Sequence, residues 1–175
     1  TVLEVNIPQT VEIIGRAAFY NCMFLLEATL PSSIESINDY MFYGCMFLSS
    51  VTIPEGITEI GRSAFYGCPS LSSIVIPDSV SKISDFAFYG SGLRSVEIGG
   101  GVRELGENIF SGCVNLQTVT IKDGLLTLGT RMFYRCESLK EVVFGNSLTT
   151  VGNYAFYGCK SLDNVTLPSS VERIG

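Results

Sequence analysis

The chain contains no histidine and no tryptophan among its 175 residues. Without histidine the commonest general base is missing, and with it a favoured metal ligand. No Cys-x-x-Cys pair exists to bring four ligands onto zinc, so no metal is expected. Basic charge is scarce: 11 Lys and Arg stand against 17 Asp and Glu, for a net charge of -6. These cations are scattered, which excludes the clustered phosphate contacts of a nucleic-acid binder. No apolar run approaches the roughly 18 residues of a spanning helix, and direct membrane insertion is not expected. Thr1 to Gly15 also lacks the basic-then-apolar profile of a signal peptide. The carboxylates recur at unpaired places, so no catalytic residue is assigned and no enzyme activity is expected. The glycine cluster Gly99-Gly100-Gly101 is not a phosphate loop, because Gly-x-Gly-x-x-Gly fails at Glu104 and no Gly-Lys-Ser/Thr follows. No cofactor is implied.

What the chain does have is a phrase repeated seven times, from Ala18-Phe19-Tyr20-Asn21-Cys22 to Ala155-Phe156-Tyr157-Gly158-Cys159. Its phenylalanines fall 23 residues apart, apart from one step of 22 between Phe88 and Phe110. A unit this short cannot bury its own apolar face, so it must stack on its neighbours as a solenoid. A hydrophobic fraction of 46% against 16% charge agrees with a continuous core. The repeats leave no room for a linker or a second domain, and residues 1–175 are expected to form one array of about 7.5 repeats. The array opens on a strand and stops mid-repeat at Gly175, so it is read as a piece of a longer chain, with targeting segments elsewhere.

In the unit from Leu71 to Ser91, Ile74 and Ile76 alternate as in a strand with one buried face. Pro77, like Pro8, Pro31, Pro54 and Pro168, lacks an N-H and ends ladder pairing there. Each coil is expected to give one short strand, the equivalents running from Val5–Ile7 to Val165–Leu167. Strands in the same sense one coil apart form a parallel sheet spaced roughly 4.8 Å, in a body about 35 to 40 Å long. After the proline comes a second inward pair, such as Val80 and Ile83, and then a glycine, at 15, 61, 106, 129, 152 and 175, expected to permit a tight bend. The stretch from there to the phenylalanine is expected to make one helical turn or a 3₁₀ segment. The seven phenylalanines then stack as a spine, each ring stabilising by roughly 1.5 to 3 kcal/mol.

Leu-x-x-Val-x-Ile-Pro, Val-x-x-Ile-Gly and Ala-Phe-Tyr-Gly-Cys, repeated in tandem, resemble the BspA-like, or Treponema-type, leucine-rich repeat. The resemblance covers essentially the whole chain and implies a right-handed leucine-rich-repeat-like β solenoid. Members of that family are mostly bacterial or protist surface proteins, some implicated in adhesion to fibronectin, fibrinogen or other cells. It implies a protein-binding module at the cell surface or secreted, with a host extracellular-matrix protein as a partner, and its motif holds no catalytic residues.

Four features are candidates for function. Six cysteines recur once per repeat, with Ser91 in the fourth slot, leaving two runs of three. Neighbour pairing would strand one thiol in each run, so they are read as a ladder of buried free thiols. Six tyrosines follow the spine, interrupted at Ser111, either as a recognition surface or packed between coils. The outward strand positions are Glu27 and Thr29, Ser50 and Thr52, Ser73 and Val75, Ser95 and Glu97, Thr118 and Thr120, and Glu141 and Val143, with Glu4, Asn6, Asn164 and Thr166 at the ends. They are expected to line a concave face that holds an extended protein, and without aromatics they disfavour sugar stacking. Met23-Phe24 and Met46-Phe47 stand on two adjacent repeats where others carry polar residues, as an interface patch or as local packing against loops or a missing N-terminal cap. Two rival readings remain: a structural spacer presenting another domain, and an intracellular scaffold favoured by reduced thiols. Specificity is expected at the departures from the repeat, including Ser91 to Gly101.

Overall fold

Ile74 and Ile76 are buried while Ser73 and Val75 between them are exposed, the alternation of a strand with one wet face. A computed structural model describes residues 4–175. Fourteen strands follow in order: β1 (Glu4–Asn6), β2 (Glu27–Thr29), β3 (Ser36–Ile37), β4 (Ser50–Thr52), β5 (Glu59–Ile60), β6 (Ser73–Ile76) and β7 (Lys82–Ile83), then β8 (Ser95–Ile98), β9 (Glu104–Leu105), β10 (Thr118–Ile121), β11 (Thr127–Leu128), β12 (Glu141–Phe144), β13 (Thr150–Val151) and β14 (Arg173–Ile174). All pairings are parallel, and the chain is a β solenoid of about 7 coils of ~23 residues.

The expected strands appear on one side, as ladders β1-β2-β4 and β6-β8-β10-β12, most of them beginning one residue early. Two expectations are corrected. Residues 165–167 form no strand, and Val165 and Leu167 are left half-buried. The expectation of a single sheet also fails, since the second inward pair carries its own two-residue strands, in ladders β3-β5-β7-β9 and β11-β13-β14.

The helical or 3₁₀ segment is absent too; among the described residues no helix forms. Alternate N-H groups of this segment point in different directions. Met41, Tyr43 and Cys45 donate three residues back within their own coil, to Asn38, Tyr40 and Phe42. Tyr40, Phe42 and Gly44 donate instead to the next coil, to Arg62, Ala64 and Tyr66 carbonyls at 2.8 to 2.9 Å. The pattern repeats from Ala17 through Arg135 and forms a third, uninterrupted ladder. Sending every second N-H sideways forbids an α-helix, which would need them all along its axis.

The glycine expected to bend the chain has another purpose. The left-handed conformation falls two residues later, on Ala17, Tyr40, Ser63, Phe86, Asn108, Arg131 and Tyr154, at φ 51 to 58. Gly61 itself lies against the preceding coil, where an added Cβ would sit 2.6 Å from the Asp39 backbone nitrogen. It is needed for close approach. The triple glycine of the 22-residue coil serves likewise: a Cβ on Gly99 would lie 2.8 Å from the Ile76 carbonyl, and one on Gly101 would strike the Asp78 carbonyl.

Inside, Phe42, Phe65, Phe88, Phe110 and Phe133 are fully buried and stack at 5.2 to 5.9 Å. Phe19 and Phe156 extend the column, half-buried at its ends.

Candidate functional site

The strand register converts the outward residues into two straight columns. Ser73, Ser95, Thr118 and Glu141 stand in one, and Val75, Glu97, Thr120 and Val143 beside it. On the first ladder Glu4, Glu27 and Ser50 align, with Asn6, Thr29 and Thr52 alongside. All are exposed. Val75 shows 67% of its surface to solvent and Val143 48%, so the face carries isolated apolar points among hydroxyls. Lys122 crosses it, 3.0 Å from Glu97 and 3.5 Å from Asp78. The Gly100 N-H, then Lys122, hold the Asp78 carboxyl below its ordinary value.

Shallow hollows mark where pairing lapses. One of about 260 Å³ lies between β4 and β6, around Thr52 and Val75. Another of about 390 Å³ lies beyond β12, around Val143 and Asn164. Asn164, expected in a strand, is exposed on unladdered chain. A hollow of about 510 Å³ on the second side, lined by Asp39, Glu59, Lys82 and Glu104, escaped the sequence reading because two-residue strands show no readable alternation. Its Lys82 pairs with Glu59 at 2.8 Å. Among the described residues, no group of three or more His, Cys, Asp or Glu is placed to hold a metal.

Met23 and Phe24 are 51% and 54% exposed, and Met46 and Phe47 45% and 52%. The Phe24 and Phe47 rings stack on each other at 6.0 Å in the open. Among the described residues nothing covers these four side chains. Leu26, two residues after Phe24, is 39% exposed.

Tyr20, Tyr43, Tyr66 and Tyr89 stack face to face at 4.7 to 4.8 Å, and Tyr134 and Tyr157 at 5.1 Å. Tyr43 and Tyr66 are stacked on both faces and leave only their edges to a partner, whereas the end rings Tyr20 and Tyr157 are 46% and 55% exposed. Desolvation, then the flanking Tyr89 and Tyr43, raise the Tyr66 hydroxyl above its ordinary value. Ser111, where the stack breaks, is 2% exposed.

All six cysteines are free thiols. Each from Cys45 onward donates to the phenylalanine carbonyl of the preceding coil, as Cys68 does to Phe42 at 3.1 Å. Burial pushes Cys45 from 9.0 up to about 12, and Cys113 and Cys159 up to about 11. Cys68 and Cys136 are driven higher by the same cause. None of these five is a poised thiolate nucleophile.

Stacked parallel coils with a polar outer face and a fully packed phenylalanine core define the leucine-rich-repeat class of interaction scaffold. The chain belongs to the BspA-type leucine-rich-repeat family: the family model for that region matches in 6 copies, over residues 1–113 and 58–175. It is similar in structure to a leucine-rich repeat protein of T. pallidum, at 32% identity and TM-score 0.86, over 93% of this chain and 79% of that one. A leucine-rich repeat protein from Bacteroides ovatus shares the fold at 22% identity and TM-score 0.61, over 99% of this chain and 83% of that one. The pneumococcal vaccine antigen PcpA shares it at 23% and 0.52, over 86% of this chain and 47% of that one. No curated protein matches the sequence. Among the described residues no helix is long and apolar enough to cross a membrane.

Proposed function

We propose that residues 1–175 act as one non-catalytic protein-binding module of a cell-surface or secreted protein, adhering to a matrix protein or another cell. The observation that carries this reading is the pair of registered columns: Ser95, Glu97, Thr118, Thr120, Glu141 and Val143 are held side by side, exposed and on rigid strands. Membership of the BspA-type family supports an interaction role. An extended partner segment laid across the strands would meet a hydroxyl at each coil from β2 to β10, roughly every 4.8 Å, with carboxylates at intervals. Such contacts give register and specificity more than raw affinity.

Surface plasmon resonance against immobilised fibronectin and fibrinogen tests the reading. Saturable binding is expected, reduced when Glu27, Glu97 and Glu141 are all reversed to Lys. Affinity untouched by the three reversals removes the sheet from the account, and no binding to any matrix protein favours a spacer.

A further inference from the structure

The net charge is distributed unevenly. Residues 1–93 hold three cations against nine carboxylates, whereas 94–175 hold eight of each, so the whole net charge of -6 belongs to the first half. The three cations there are committed elsewhere. Arg16 lies over the Tyr40 ring at 4.8 Å, Arg62 over Phe86 at 5.9 Å, and Lys82 is paired with Glu59.

Within this acidic half the apolar patch sits beside an uncompensated pair. Glu4 and Glu27 are register partners on β1 and β2, both exposed. Like charges directly opposite each other destabilise a strand pair. Among the described residues no cation comes within 4.0 Å of either. Glu27 directly follows Leu26, which joins the patch to the edge of the sheet. The two coils therefore offer stacked aromatic rings, two flexible thioethers and a carboxylate pair lacking a counter-charge. Met side chains adapt to varied apolar shapes. A second copy of this acidic chain, or an anionic lipid surface, would be repelled at the same place.

We propose that Met23, Phe24, Leu26, Met46 and Phe47 seat a cationic amphipathic segment of a partner protein, its apolar side chains on the two phenylalanines and its Lys or Arg over Glu4 and Glu27. This rests on the protein-binding reading and adds the partner's chemistry and its place on the array.

The test uses a short synthetic Leu-Lys peptide with one Trp, whose fluorescence reports binding because this chain has no tryptophan. A Leu-Glu peptide and neutral phosphatidylcholine vesicles are the comparisons. The Leu-Lys peptide is expected to bind at least tenfold tighter than the Leu-Glu peptide, with the preference lost near 1 M salt, where the screening length is about 3 Å. Phe24→Ser with Phe47→Ser should weaken it at least tenfold. The repeat itself carries serine there, at Ser70, Ser138 and Ser161, so folding is retained and a thermal melt checks it. Glu4→Gln with Glu27→Gln should weaken it several-fold and flatten the salt dependence. The proposal is overturned by equal binding of both peptides, by no binding, by a folded serine variant that binds as the wild type does, or by neutral vesicles that displace the peptide. If Glu97→Lys with Glu141→Lys abolishes peptide binding while the serine pair leaves it intact, the partner lies on the sheet; the module reading then stands and this one fails.

Discussion

Gly15, Gly61 and Gly67 separate three reasons for a glycine, and their alanine variants should behave differently. At Gly61 a Cβ would meet the Asp39 backbone nitrogen at 2.6 Å and the Asn38 carbonyl carbon at 2.8 Å. These are backbone atoms of the preceding coil, so the strain cannot be relieved by rotating a side chain. Separating the coils would also stretch the Gly61 N-H bond to Ile37, now 2.7 Å. Overpacking of this kind costs about 1–3 kcal/mol. Gly15 holds the same repeat position, yet nothing lies within 4 Å of its Cβ, and Gly15→Ala should be neutral or stabilise by up to about 1 kcal/mol. Gly67 has open space around its Cβ but a φ of +64, so Gly67→Ala should cost about 1–2 kcal/mol through the backbone alone. Asn21 occupies the position equivalent to Gly67 at φ 54, so Gly67→Asn should recover part of that loss while Gly61→Asn recovers nothing. Urea unfolding followed by circular dichroism gives the midpoints at unchanged slope. If Gly61→Ala melts like Gly15→Ala, the close approach of coils is not the reason for this glycine.

Ser111→Tyr should complete the tyrosine stack. A Cβ on the neighbouring Gly112 would make an ordinary contact of 3.9 Å with the Tyr89 Cζ. Two new stacked pairs at about 0.5–1.5 kcal/mol each, less the cost of fitting a ring where Ser111 is buried, should give a net gain of about 1 kcal/mol, read as a rise of about 2–4 °C in Tm; a fall in Tm counts against it. Phe65→Ala removes a fully buried ring stacked on both sides, at 5.3 and 5.2 Å, and should cost about 3–5 kcal/mol by denaturant titration. A loss below about 1 kcal/mol would mean that the column does not hold the coils together. Alkaline pH should destabilise the fold through the thiols. Their folded values are raised by burial, so their contribution is complete below 9.0 and is lost as pH climbs through about 11 to 12. Melting scans between those limits should show a decline that is shallower in Cys45→Ala, and parallel curves would refute the linkage.

The spine, the thiol ladder and the first sheet were legible because each repeats one residue type at a fixed spacing, as Phe42, Phe65 and Phe88 do. The second sheet was hidden, since Glu59–Ile60 and Lys82–Ile83 are too short to show a period. The turn was misread as helical because the direction of the Tyr40, Phe42 and Gly44 N-H groups is set by carbonyls one coil away, which no local pattern reveals. The role of Gly61 was misplaced for the same reason, its constraint coming from Asp39 across the coil interface. The apolar patch was visible as a departure from the repeat, but whether Phe24 and Phe47 faced solvent was not.

In both sheets the peptide groups of a parallel ladder point alternately to either neighbour and their dipoles largely cancel. In the turn ladder they do not: the N-H groups of Ala17, Phe19 and Asn21, and of their equivalents as far as Arg135, are all aimed towards the later coil, whereas outside the turn those of Phe47, Gly61, Gly92 and Gly106 are aimed towards the earlier one. Three peptide dipoles per coil, each of about 3.5 D, therefore add along the stacking axis, negative towards the first coils and positive towards the last. The charged side chains are biased in the same sense, with the -6 of the first half against none in the second. The side-chain charge is thus polarised along the rod, and its field would turn an approaching cationic molecule towards the coils that carry Phe24 and Phe47 before any contact is made.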